Sequence, residues 1–311
     1  ISLGLVGSEM CIRDSVYFNL DWGKSALLVG QTWHPLYGDV APEILNLNMG
    51  APYQPFSRAP QIRYRFTSNN FMLTAAAIWQ SQYLSVGPKT NKPGETSTQK
   101  SQEFMKKSCV PEFYLGVDYK RPGLIAGAGL HVSSITPRTQ SETEDAVYFV
   151  NERVTGISGE AHVKYTKENW LVSAKTVLGT NLTQTSTVGG YGITSIDEVT
   201  GKQQYSPLRT SSTWVNVAYG KKWRPALFFG YLKNLGATKE VPYGALGTGT
   251  TLDQLFTGTA ELTYNIPHWK FGAEYSLCNA WYGDEFDAKA KAINSHSILN
   301  HRIVLVALFQ F

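Results

Sequence analysis

Three arginines gather in one short stretch. Arg58 precedes the segment APQIRYRF (59–66), in which Arg63 and Arg65 alternate with Ile62, Tyr64 and Phe66. In an extended chain this alternation sends both guanidinium groups to one face and the apolar side chains to the other. Guanidinium groups crowded into a narrow passage of low dielectric concentrate anions and guide carboxylates or phosphates through it. The same residues could equally pair with inward acids such as Glu112 or Asp118 and brace a wall. Charges on the equivalent faces elsewhere are mixed, with Lys164, Lys175 and Lys270 set against Glu160, Glu261 and Glu274. Strong anion selectivity therefore does not follow from the sequence. Catalysis has less to stand on: there is no nucleophile elbow, no P-loop and no clustered His/Cys ligand set. Histidines at positions 34, 131, 162, 268, 296 and 301 are scattered. His131 and His162 are expected to be ordinary polar residues of the inner face, with no serine or carboxylate that the sequence pairs with them. No enzyme, metal or cofactor is expected.

The elements that must position these charges are strands. Of the 311 residues 42% are hydrophobic and 13% aromatic, yet only 17% are charged, below the roughly 25% of soluble domains. The mean hydropathy is −0.21, and no uninterrupted apolar run approaches the ~18 residues of a membrane helix. A helical membrane protein is excluded, whereas a β-barrel is not, because alternation dilutes its apolar residues. The net charge of +4 is modest and forms no basic stripe, so nucleic acid is not an expected partner. Period-2 segments predict strands at 16–22, 24–33, 59–67, 70–82, 109–119, 123–134, 153–166, 169–180, 209–220, 224–233, 254–265, 269–281 and 298–311. Short connections alternate with long polar ones at 34–58, 83–108, 135–152, 181–208, 234–253 and 282–297. Periplasmic turns on one rim of a barrel and extracellular loops on the other produce this pattern.

The faces agree. Phe113, Leu115, Val117 and Tyr119 oppose Glu112 and Asp118, while Ala161, Val163 and Tyr165 oppose Glu160, His162 and Lys164. Phe271, Ala273 and Tyr275 oppose Lys270 and Glu274 in the same way. A soluble sandwich would also have one polar face, but three features argue against it. Aromatics stand at the strand ends beside the short turns (Tyr119, Tyr165, Trp170, Tyr219, Trp223, Tyr264 and Trp269), where a membrane girdle needs them. The strands are longer than the five or six residues usual in soluble sheets. The chain also stops on an amphipathic strand with a terminal aromatic, Phe311, which resembles the signal read by the outer-membrane assembly machinery. Fold class is thus an antiparallel, up-and-down transmembrane β-barrel in the outer membrane of a Gram-negative bacterium, in contact with lipid bilayer and lipopolysaccharide. Parity of the strands implies that an odd number precede the thirteen recognised, for a total of 14 or 16, wide enough for an aqueous bore.

Residues 1–15 (ISLGLVGSEMCIRDS) lack clean alternation and the features of a signal peptide. GSEMCIRDS resembles translated read-through of a sequencing adapter, so the single barrel domain is expected to run from 16 to 311. Setting the leader aside removes Cys11 and leaves Cys109 and Cys278, expected on different strands and unpaired.

The loop at 34–58 differs from the other long connections. It carries Leu36, Tyr37, Ile44, Leu45, Leu47, Tyr53 and Phe56 and almost no charge. Such a loop must be buried, either inside the barrel, where it narrows the bore, or against a neighbouring subunit. GQTW (30–33), the proline-containing loop after it and APQIRYRF (59–66) resemble the DcaP-like family of outer-membrane porins, in particular its Bacteroidetes-type members. The resemblance is strongest over 22–67. It implies a 16-stranded barrel, a homotrimer, and passive diffusion of small hydrophilic, often anionic solutes. Two other readings are an outer-membrane barrel hydrolase, which needs a nucleophile and base on adjacent strands, and a transporter of hydrophobic compounds, which needs an apolar ladder in the lumen.

Overall fold

The computed structural model describes residues 2–6, 15–45 and 50–309; Cys11, Leu47 and Phe311 fall outside them. Within these residues fourteen strands follow one another in a single antiparallel path. They are β1 (Ser2–Val6), β2 (Ser15–Asp21), β3 (Ser25–Trp33), β4 (Arg58–Ser68), β5 (Phe71–Ile78), β6 (Glu112–Arg121) and β7 (Leu124–Ile135). The path continues through β8 (Val154–Lys167), β9 (Trp170–Thr180), β10 (Gln203–Tyr219), β11 (Trp223–Ala237), β12 (Leu252–Ile266), β13 (Trp269–Phe286) and β14 (Ala292–Phe309). Each strand pairs with its neighbour in sequence, the meander that alternating short and long connections require. All thirteen expected strands are present. β1, in the stretch expected to stand apart, adds a fourteenth by pairing Ser2–Val6 with Ser15–Asn19. Among the described residues no helix is long and apolar enough to cross a membrane.

The two faces separate as alternation dictates. Ile62, Tyr64, Phe66, Phe113, Leu115, Val117 and Val163 are exposed, whereas Gln61, Arg63, Glu112, Glu160 and His162 are buried on the opposite face. An apolar exterior around a polar interior inverts a water-soluble sheet protein. At the end with the short connections the aromatic residues meet across neighbouring strands. Trp170 lies opposite Tyr219 with ring centroids 4.7 Å apart, Trp223 opposite Tyr264 at 4.5 Å, and Phe71 opposite Tyr119 at 5.2 Å. Trp269 packs on Phe309 at 4.9 Å, and the exposed Tyr165 stands opposite Val172.

At the other end the structure departs from expectation. β10 starts at Gln203 rather than 209, β13 runs to Phe286, and β14 starts at Ala292, so the long loop expected at 282–297 shrinks to 287–291. In β13 and β14 polar cross-strand pairs help carry the extension: Asn294 Nδ2 donates to Glu285 Oε2 at 2.8 Å, and His296 meets Asp284 at 2.6 Å. Short strands at Gly189–Ile196 and Ala245–Thr248 branch from β10, and two small hairpins stand in other long connections. β6 begins at Glu112 rather than 109 because Glu103–Ser108 form a helical turn, α1, closed by Cys109 at φ 53°. Cys109, expected on a strand, therefore caps the helical turn instead; it and Cys278 are free, as expected.

Candidate functional site

Residues 34–45 and 50–57 fold inward, which decides between the two placements that the sequence left open. The loop leaves β3 and returns to β4, and on the way touches inward side chains of six other strands. Lys175 Nζ (β9) donates to the carbonyls of Leu36 and Tyr37 at 3.0 and 2.8 Å. Glu43 N–H donates to Asn216 Oδ1 (β10) at 2.9 Å, and its carboxylate takes Lys164 Nζ (β8) at 2.9 Å and Arg224 (β11) at 2.5 Å. Leu45 N–H donates to Glu261 (β12) at 2.8 Å and to Glu274 (β13) at 2.9 Å. A flat sheet could not bring strands so far apart in the path to one loop; the sheet must curl around it.

Apolar contacts complete the fastening. Val40 and Tyr53 pack against the buried Trp214, Phe228 and Leu232. Trp214 Nε1 donates to Gln54 Oε1 at 2.9 Å, and the Tyr53 and Thr257 hydroxyls meet at 2.7 Å. Two inward glycines make room. A Cβ on Gly230 would lie 2.5 Å from the Tyr53 ring, and one on Gly272 would lie 2.5 Å from Leu45 Cδ1. Trp214, Phe228, Gln54 and Asn216 are the site residues that sequence reasoning missed. The available signal was a tryptophan on the polar parity of its strand: in TWVNVAY (213–219), Trp214 shares its face with Asn216 and Ala218. A large ring there has no place unless something covers it.

Between the loop and the wall of β2 to β8 a cavity of about 210 Å³ persists. Arg63, Arg65, Asp118 and His162 line it from the wall, and Gly38 and Asp39 from the loop. The arginines do not pair with Glu112 or Asp118, the bracing arrangement weighed above. Arg63 instead donates to Gln61 Oε1 at 2.9 Å and to the Trp33 carbonyl, while Arg58 lies over the Trp33 ring, 4.0 Å from its centroid. Arg65 Nε is buried without a hydrogen-bond partner among the described residues. The acids go to histidines. Asp118 and Glu160 each meet His162 at 2.9 Å, with Tyr114 donating to Glu160 at 3.0 Å. Glu112 accepts from Gln80 at 2.6 Å and lies 2.8 Å from His131 and 3.4 Å from His34. The expectation that the histidines are scattered and unpaired with carboxylates is corrected: residues distant in sequence become neighbours through register and the inward turn at His34. Lys270 is half-buried opposite Asn265, and Glu274 is buried, with Arg302 3.7 Å away.

Solved structures share this fold. The trimer form of OmpT, an outer membrane protein of Vibrio cholerae, aligns over 96% of this chain and 80% of its own, with a TM-score of 0.52 at 10% identity. An anion-selective porin from Comamonas acidovorans aligns over 95% and 77% (TM-score 0.51, 9% identity). Salmonella typhi OmpF, in a complex with daunomycin, aligns over 94% and 77% (TM-score 0.52, 14% identity). The fold is that of an outer-membrane porin. No family model matches the sequence, and no curated protein does.

Two acids on the loop set its response to pH. Burial alone would raise the Asp39 carboxyl, but the Lys120 ammonium bonded to it, backed by Arg65 and Arg63, holds it below the usual carboxylate range. Burial acts in the same direction on Glu43, and Lys164 and Arg224 override it. A depressed pKa gives a fastening that is complete above the ordinary carboxylate range and is lost as pH falls through the lowered value. The contacts of Asp39 with Lys120 and of Glu43 with Lys164 and Arg224 are expected to hold from neutral pH down to about pH 5 and to loosen only below about pH 4. Single-channel recordings across that range check this as the onset of closures in acid; an onset near pH 6 would contradict it.

Proposed function

We propose that the protein is a passive outer-membrane porin, not an enzyme, through which small hydrophilic solutes, anions among them, diffuse down their gradients. The observation that carries this reading is the loop at 34–57 folded across the bore. It leaves a cavity with Arg63 and Arg65 on the wall and Asp39 facing them. Opposed fixed charges at a constriction sort ions without binding them tightly. The apolar exterior and its aromatic rim support insertion in the outer membrane of a Gram-negative bacterium, against lipid and lipopolysaccharide. The resemblance of residues 22–67 to DcaP-like porins supports a homotrimer and the preference for anionic solutes, and a trimer form of the Vibrio cholerae neighbour points the same way. Insertion would be directed by the last strand and Phe311.

Against the enzyme reading, neither His131 nor His162 hydrogen-bonds a serine, threonine or cysteine side chain among the described residues; both bond carboxylates. Against a transporter of hydrophobic compounds, the inward Trp214, Phe228 and Leu232 are already covered by Val40 and Tyr53. The test is a planar-bilayer recording in a salt gradient. The full chain is expected to conduct, and Arg63→Ala with Arg65→Ala to move the reversal potential toward cations. An unchanged potential would remove the arginines' role, and no conductance would overturn the porin reading.

A further inference from the structure

We infer that His34, Glu112 and His131 form a binding site for one divalent transition-metal ion of the zinc type, at the outer end of the lumen. Each residue offers one ligand atom, and the three atoms lie within 4.8 Å of one another. His131 Nε2 stands 2.8 Å and His34 Nε2 3.4 Å from Glu112 Oε2. Zinc bonds of about 2.0–2.1 Å in tetrahedral array separate neighbouring ligand atoms by roughly 3.3 Å, close to this spacing. Two imidazoles and one carboxylate suit zinc, cobalt or nickel and not the oxygen-seeking calcium or magnesium. A fourth position would be left for water or a solute group.

Two further observations point to a ligand. His34 Nε2 is buried, faces the carboxylate and has no hydrogen-bond partner among the described residues. A buried polar nitrogen in a protein interior is ordinarily satisfied, and a cation would satisfy this one. The carboxylate is also oriented: Gln80 Nε2 donates to Glu112 Oε1 at 2.6 Å, and Ser85 Oγ receives the same amide at 2.8 Å, which leaves Oε2 to the imidazoles. Such outer contacts are what fix metal ligands. His34 lines the 210 Å³ cavity, so an ion arrives through the lumen. The Leu36 amide touches His34 Nδ1 at 3.2 Å. Ligation through Nε2 places the ring proton on Nδ1, so this long contact opens and the first turn of the loop shifts.

The full chain, refolded in detergent and freed of metal with a chelator, is titrated with Co²⁺ and followed by its visible absorption, then with Zn²⁺ in competition. The expected result is one ion per chain, a tetrahedral cobalt spectrum and displacement by zinc. His131→Ala and Glu112→Gln should each weaken binding by roughly tenfold or more. His34→Ala, on a loop outside the strand ladder, keeps the test sound if the strand variants fail to fold. His296→Ala, at an exposed residue paired with Asp284, should change nothing. Absence of stoichiometric binding, or full binding by His34→Ala, would overturn the site and mark the trio as a hydrogen-bonded brace. Conductance is not part of this readout, so the result is separate from the porin reading.

Discussion

Replacing residues 36–55 with a short glycine-serine turn is expected to raise single-channel conductance several-fold and to leave the fold intact. The ends of the loop are already together: Trp33 pairs with Arg58, and His34 N–H donates to the Ser57 carbonyl at 2.9 Å. A tight turn can therefore close the gap without disturbing the ladder between β3 and β4. What the excision bares is mostly able to live in water. Lys175, Asn216, Glu261 and Glu274 lose loop partners but gain a hydrated bore, so no buried charge is stranded. The apolar trio Trp214, Phe228 and Leu232 becomes wet, and that is the main cost in stability. The charges change too. Asp39 and Glu43 are the acids in the excised segment, and their loss frees Lys120, Lys164 and Arg224. The wider channel should therefore favour anions more strongly than the parent. Unchanged conductance with a normal far-ultraviolet spectrum would mean that current does not pass the loop.

The strand plan was readable because alternation reports on a face that lipid or water must touch, and nothing else in the chain competes with that signal between the girdle and mid-strand. It failed at the outer ends. Residues such as Asp284, Asn294 and His296 are polar on both faces, so they read as loop, yet cross-strand bonds hold them in the ladder. The inward loop was legible for a simple reason: Leu36, Tyr37 and Tyr53 cannot be left in solvent. Its partners were not. Which inward side chain meets Glu43 or Leu45 depends on how far the sheet curls, and no local pattern encodes that angle. The pairing of Glu112 with His131 and His34 is hidden in the same way. The register of β6 on β7 places the first two near each other, and a turn in the chain beyond β3 delivers the third.

Leu115→Arg is expected to destabilise the folded barrel in lipid vesicles by about 2–4 kcal/mol, which is a loss of about 30- to 700-fold in the folding equilibrium. Leu115 points outward with 54% of its surface exposed and lies opposite Leu130, itself 58% exposed. Four residues separate it from Tyr119 in the aromatic rim, about 13 Å along the strand and about 10 Å in depth for a strand tilted at about 40°. That depth is near the middle of an apolar band about 25 Å tall. A guanidinium there must leave water or drag water inward. The control is Val199→Arg, at a 69% exposed position in the connection between β9 and β10, where the change should stay within about 0.5 kcal/mol. The comparison reads the solvent outside the sheet. In water both positions are open surface and both substitutions are cheap, so equal stabilities for the two variants would mean that this apolar face does not meet hydrocarbon. A large gap requires that it does, because nothing among the described residues covers Leu115 to make arginine costly there.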